Sequence, residues 1–213
     1  GEVRFHTKVT GIRTKRSIDF SDEPALAMLH LEDTRTNIGE DLLTDVAVLA
    51  IGHSARDTFG LLNLSDIKME PKPFAVGVRV EHSQDMIDES QYGKNAPESL
   101  PAAAYKLTAK TKEGRGVYTF CMCPGGYVVN ASSEENRLAV NGMSYSGRNG
   151  KNANSAVIVT VSPEDFPEKG ILGGLAFQRQ LEEAAFAEGQ GKIPVQLFGD
   201  FKKNVVSKEF GNV

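Results

Sequence analysis

Cysteine is the scarcest chemistry-bearing residue in this sequence: 213 residues carry two, Cys121 and Cys123. Two cysteines separated by one residue make no disulfide framework, so a reducing cytoplasm is the expected compartment. A structural zinc site needs four nitrogen or sulfur ligands. The histidines, His6, His30, His53 and His82, are scattered, and no metal is expected. An excess of positive charge is also missing, with 24 Lys and Arg against 28 Asp and Glu and a net charge of −4. Phosphate binding wants a basic surface, which argues against nucleic acid as the main partner. No apolar run approaches the roughly 20 residues that span a bilayer, so no membrane partner is expected. The opening Gly1-Glu2-Val3-Arg4-Phe5-His6 has neither a signal-peptide nor a transit-peptide pattern. Gly-x-Ser-x-Gly is absent, and the serines and histidines suggest no hydrolase set.

What is present centres on Gly114 to Ser132, which holds both cysteines. A β-rich run, Gly116 to Met122, leads into Pro124-Gly125-Gly126, and a second run leaves from Tyr127 to Ala131. This reads as strand, tight glycine turn, strand. On a regular strand residues i and i+2 face the same way, placing both thiols side by side. Such a pair is either a redox pair or thiol near a cofactor, or two small apolar residues packing a buried strand. A disulfide across one residue would strain a regular strand.

The length suits one large domain or two small ones. Residues 2 to 16 alternate through Val3, Phe5, Val9 and Ile12, predicting one or two strands. The first residues already read as strand, which suggests a piece of a longer protein. Asp22-Glu23-Pro24 predicts a loop. Ala25 to Glu32, then the turn residues Thr34 to Gly39, fit antiparallel strands joined by short turns. Asp45 to Ile51 is continuously apolar after its first residue, the pattern of a strand buried on both faces in a parallel sheet. Gly52-His53-Ser54-Ala55-Arg56-Asp57 follows, with Ser54 and Asp57 at capping-box spacing before a helix from about Ala55 to Leu62. A strand, a glycine and a helix start either aim backbone N–H groups at an anion or only turn tightly.

A hinge is expected from Asp66 to Pro73, stiffened by Pro71 and Pro73. Phe74, Val76, Val78 and Val80 then share one strand face, with Arg79 and Glu81 on the other. Ser83 is placed to cap a short helix. Gln91 to Pro101 reads as loop, and Tyr105 to Thr111 with Gly116 to Met122 as a hairpin pair. Leu138 to Val140 predicts a short strand, Gly142 to Asn154 a long polar loop, and Ala156 to Val161 a buried strand. Ser162 caps a turn at Pro163, Leu175 to Glu188 is a helix ended by Gly189-Gln190-Gly191, and Pro194 to Lys203 is a second short segment. Arg115 and Arg148, each beside glycine, are candidate anion hooks or ordinary loop arginines.

The segment Val46-Ala47-Val48-Leu49-Ala50-Ile51-Gly52-His53-Ser54-Ala55-Arg56-Asp57 resembles the second glycine strand of two-dinucleotide-domain flavoproteins of the glutathione-reductase-like superfamily. With its His-Ser-Ala-Arg-Asp continuation it looks like the uncharacterised FAD-dependent dehydrogenase family of bacteria. Gly114 to Gly126, Asn141-Gly142-Met143-Ser144-Tyr145, Asn152 to Ala156 and Pro194-Val195-Gln196 are similar to that family too. The likeness covers nearly the whole chain.

The resemblance implies an α+β chain with two parts. Residues 1–65 would be a partial FAD/NAD(P)-binding domain, holding a β-meander and one parallel-type strand. Residues 66–213 would be an inserted substrate domain, a mixed, mostly antiparallel sheet with flanking helices. It places Val9, Ala50, Ile51, Gly52, His53, Ser54 and Arg56 at the cofactor, and brings the turn at Gly125 and Gly126 toward the flavin ring. Cys121 and Cys123 are the candidate catalytic side chains. The N-terminal Gly-x-Gly-x-x-Gly that holds the pyrophosphate and the glycine-rich segment that closes over the isoalloxazine are not in this sequence. The expected function is therefore part of an FAD-dependent oxidoreductase, with NAD(P)H as a candidate electron donor and little or no FAD bound by this piece alone. Its partners would be the remainder of its own chain and a small-molecule substrate that the sequence does not identify. The alternative is a non-catalytic interaction or scaffold module that retains a flavoprotein fold.

Overall fold

The computed structural model describes residues 1–16, 24–65, 67–97 and 99–210. Asp22 and Glu23 of the first predicted loop, and Asp66 of the predicted hinge, lie outside the described residues. The chain is α+β, with mostly antiparallel sheets and few helices. It divides into two units, one of residues 1–71 with 169–175, the other of residues 72–168 with 176–213.

The first unit is built on an antiparallel meander of β1 (Thr7–Arg16), β2 (Pro24–Asp33) and β3 (Gly39–Leu43). Ala25 to Glu32 is strand because both its edges find partners, with Met28 and Leu31 buried. Asp33 builds the turn into β3. Its carboxylate accepts the backbone N–H groups of Arg35 and Thr36 at 2.8 and 3.1 Å, and Asn37 takes a φ of 56°, the Asx-turn chemistry that ends a strand. The imidazole of His30 spans the meander and bonds Asp41 on β3 at 2.7 Å. A side chain at Gly11 or Gly39 would come within 2.9 or 2.6 Å of His30, so both neighbouring strands carry glycine where it lies.

Helix α1 (Arg56–Leu64) follows and lies against β1. Lys8 pairs with Asp57 at 2.6 Å, and Leu62 is buried. The Ser54–Asp57 capping box does not form. Ala55 holds the cap position, and the Asp57 carboxylate is committed to Lys8 and to the N–H of Thr58.

The predicted strand Asp45 to Ile51 is also corrected: no ladder forms there. Val46 and Val48 are 77% and 87% exposed. A strand buried on both faces needs neighbours on both edges, usually parallel ones. The antiparallel meander ends at Leu43 and supplies none.

The second unit holds β4 (Phe74–Ser83), α2 (Gln84–Tyr92), β5 (Thr108–Lys110), β6 (Gly116–Cys123), β7 (Gly126–Asn130), β8 (Val140–Ser144), β9 (Asn152–Val161), most of α3 (Gly173–Glu188), and α4 (Phe198–Lys203). Its four-stranded sheet runs β4-β9-β6-β5, antiparallel throughout, and β7 pairs with β8 alone. The long loop predicted over Gly142 to Asn154 is strand at both its ends. β8 takes its start and β9 its end, leaving residues 145–151 between them. Polar composition misled there because Asn154 and Ser155 are fully buried in β9 and face polar partners instead of solvent. At the far end of the sheet Phe74 stacks on Phe166 with centroids 5.2 Å apart, and Phe177 of α3 lies 6.3 and 6.1 Å from the two rings. Beyond Glu188, Gly191 at φ 81° donates its N–H to Phe186 and stops the helix.

Arg115, a candidate anion hook, is occupied internally. It donates to both carboxylate oxygens of Asp165 at 2.6 and 2.8 Å and to the carbonyl of Thr160. Asp165 in turn accepts the N–H and hydroxyl of Ser162, capping the single 3-10 turn Pro163–Asp165. The hydrogen bond from Arg115, then the Ser162 N–H, hold the Asp165 carboxyl well below the usual carboxylate range. Arg35 and its own N–H do the same for Asp33, lowering it to about 2. A carboxylate depressed in the folded state contributes stability above the unfolded value of about 3.9 and loses it as pH falls toward the folded value. Asp165→Asn is therefore expected to flatten the fall in melting temperature between about pH 5 and pH 2, measured by circular dichroism. Equal acid sensitivity in the two proteins would count against the pairing.

Candidate functional site

The predicted site residues fall into two groups, one in each unit. In the first unit Val9 lines a cavity of about 170 Å³ with Lys8, Thr10, Asp57, Thr58 and Leu61. Ala50, Ile51, Gly52, His53 and Ser54 form one exposed stretch, turning at residues 52–54. Gly52 has a φ of 67° with no atom within 4 Å of where a Cβ would stand. The left-handed backbone needs glycine there, and the open space beside it leaves room for a ligand to approach. Arg56, in the first turn of α1, is buried.

In the second unit the cysteine strand departs from regular geometry. Between Phe120 and Cys123, β6 advances three residues while β9 advances two, from Ala156 to Asn154. This is a β-bulge, and Cys121 sits in it with a φ of 45°. The bulge breaks the two-residue alternation that would set both thiols on one face. Cys121 is exposed and Cys123 half-buried, so packing alone does not account for Cys121.

Arg79 on β4 holds the bulge. Its guanidinium donates to the Cys121 carbonyl through both terminal nitrogens at 3.3 Å, to Asn141 Oδ1 at 2.9 Å and to Asn154 Oδ1. The Cys123 thiol lies 4.0 Å from Arg79 Nη1 and donates to the Cys121 carbonyl at 3.4 Å. Asn154 is 0% exposed, and its Nδ2 has no partner among the described residues.

Gln84, 4% exposed, holds the turn that follows. Its Oε1 accepts the Gly125 N–H at 2.8 Å, and its Nε2 donates to Asp88 and to the Ala103 carbonyl at 2.7 and 3.0 Å. Ser144 donates to the Pro124 carbonyl at 2.7 Å. Glu81 fastens the outgoing strand, accepting from the Val128 N–H and from Asn152 Nδ2 at 2.7 and 2.6 Å. The places a Cβ would take at Gly125 and Gly126 are filled by the backbone of Arg148 and by Met143 with Ser144. Both glycines are buried and answer to close packing within this unit. Beside them His82 Nε2 bonds the Tyr105 hydroxyl at 2.8 Å, which burial pushes up in pKa.

Arg79, Glu81, Gln84, Asn141, Gly142 and Asn154 were not singled out as site residues from sequence. Their signal was nonetheless there: Arg79 and Glu81 fall on the polar face of an otherwise apolar strand, and Asn141-Gly142 opens one of the motifs quoted above. Among the described residues no three His, Cys, Asp or Glu side chains converge into a metal-ligating group. No described helix is long and apolar enough to cross a membrane.

Gly142 lies directly against the guanidinium. A methyl group there would overlap Arg79 Nη1 and Asn154 Oδ1. Gly142→Ala should expel the guanidinium and cost about 1–3 kcal/mol, read by denaturant unfolding. Unchanged stability would contradict this clamp.

Comparison with known proteins agrees with the extent of the second unit. A family model described as "FAD-dependent protein, C-terminal domain-like" matches residues 73–213. A protein of Clostridium beijerinckii (strain ATCC 51743 / NCIMB 8052), named "Uncharacterized protein", is 48% identical over 217 residues. That alignment takes in 100% of this chain and 38% of the relative, so the chain spans well under half of the relative's length. The chain belongs to the family of FAD-dependent proteins defined by that C-terminal domain.

Proposed function

We propose that this chain is the substrate-domain portion, with part of the FAD-binding domain, of an FAD-dependent oxidoreductase. The observation that carries the reading is the family match over residues 73–213, joined in the same chain to the exposed glycine turn at Gly52. In this reading residues 1–65 belong to the cofactor domain and residues 66–213 form the inserted substrate domain. NAD(P)H is the proposed electron donor and a small molecule the substrate. A reducing cytoplasm is the proposed compartment, on the cysteine usage alone.

The residues present suit a share of the cofactor site. The left-handed glycine with open space beside it, followed by α1, is geometry through which backbone N–H groups meet an anion. The apolar Val46 to Ile51 run is suited to a sheet supplied by the remainder of the protein. When bound, FAD supplies the two-electron chemistry. This chain's part is positioning. Ala50 to Ser54, with Arg56, would line the cofactor's approach, and Val9 would border it from β1. The turn ending at Gly125 and Gly126 would present Cys121, Cys123 and their backbone on a rigid support. Arg79, Gln84 and Glu81 supply that rigidity.

The isolated chain is expected to bind FAD weakly or not at all, and the full-length relative to purify with bound flavin. Visible absorbance of each, with a fluorescence titration of added FAD, checks this. A stoichiometric flavin spectrum in the isolated chain would overturn the division of the site, and a flavin-free full-length protein that also fails to bind added FAD would overturn the flavoprotein reading.

A further inference from the structure

We propose that Cys121 and Cys123 are a peroxide-sensitive dithiol that closes reversibly into a disulfide across the β6 bulge. On a regular strand this bond is out of reach. Residues i and i+2 stand about 6.6 Å apart with parallel side chains, and a disulfide needs Cβ atoms about 3.5–4.5 Å apart. The bulge breaks that regular geometry. Cys121 takes a left-handed φ of 45°, so its side chain departs from the strand's regular alternation. The Cys123 thiol is already turned back, 3.4 Å from the carbonyl oxygen of Cys121 itself. Cys121 is exposed and its thiol has no hydrogen bond among the described residues, so its one side-chain torsion is free to bring it round.

The two residues differ in a way that orders the chemistry. Exposed Cys121 meets an oxidant first. Half-buried Cys123, flanked by the Arg79 guanidinium at 4.0 Å, is placed to resolve. The Cys121 thiol gives up its proton, its thiolate attacks one oxygen of hydrogen peroxide, the O–O bond breaks, and a sulfenic acid forms while the departing hydroxide takes that proton and leaves as one water. The Cys123 sulfur then attacks the sulfenic sulfur. The S–S bond forms, and the hydroxyl leaves with the Cys123 proton as a second water. The two sulfurs lose two electrons and the peroxide gains them. A dithiol reductant reverses the bond by exchange. Cys121 and Cys123 are the two cysteines of these 213 residues, so a disulfide formed within them joins this pair.

The test uses the 213-residue chain with hydrogen peroxide as probe, intact mass and thiol titration as readouts, and circular dichroism to check each variant's fold. The wild type is expected to lose two hydrogens and both titratable thiols together, and to regain them with dithiothreitol. Cys123→Ser should stop at a sulfenic acid that dimedone traps. Cys121→Ser should oxidise roughly ten-fold more slowly, since susceptibility follows exposure. Wild-type chains that gain oxygen on each cysteine without losing hydrogens, or that cross-link to one another, would overturn the proposal. Equal oxidation rates in the two single variants would overturn the assigned order. No flavin enters the assay, so its result is independent of the flavoprotein reading.

Discussion

The guanidinium of Arg79 donates to the carbonyl of Cys121, and the second unit's unusual backbone depends on that bond. A non-glycine residue at a φ of 45° persists only where its surroundings over-determine it. Here they do. The same guanidinium is tied to Asn141 on β8 and Asn154 on β9, so β6, β8 and β9 share a single cation carried by β4. Gly142 leaves the space in which it lies. The charge is partly desolvated, yet its donors meet good acceptors, the condition under which an arginine inside a fold stabilises rather than costs.

From that anchor the rest of the turn follows by backbone satisfaction. Proline removes one donor at position 124, Ser144 takes that residue's carbonyl, and Gln84 takes the next N–H. Gln84 does so from the first residue of α2, whose position is set by its own N–H on the Lys151 carbonyl. Ser83 holds the cap position but makes no side-chain cap bond. The site is thus carried by one sheet face and one helix start, elements stiffer than the loops that commonly hold reactive groups.

Much of this was legible in the sequence. Local pattern placed the meander, β4, the β5–β6 pair, α3 and the end of β9, because in each the apolar period agrees with the structure adopted. The family resemblance was carried by motifs, and the family match takes in those from Gly114 onward but not Val46 to Asp57. What local pattern could not place was long-range. Asn152 and Asn154 read as loop because nothing nearby in the chain announces that Glu81 and Arg79 will take their polar atoms. The bulge was invisible for the same reason, since it is defined by register against β9. Val46 to Ile51 failed in the opposite sense. Its composition suits a buried strand, and the neighbours such a strand needs are not among the described residues.

The central claim is that the cysteine turn is held in shape by this chain's own side chains, without any ligand. Amide hydrogen exchange on the isolated chain tests it most directly. The N–H groups of Gly125 and Val128, bonded to Gln84 and Glu81, should exchange as slowly as the amides of β9 in the centre of the sheet. Exchange of those two amides at the rate of an unstructured loop, with β9 still protected, would contradict the account.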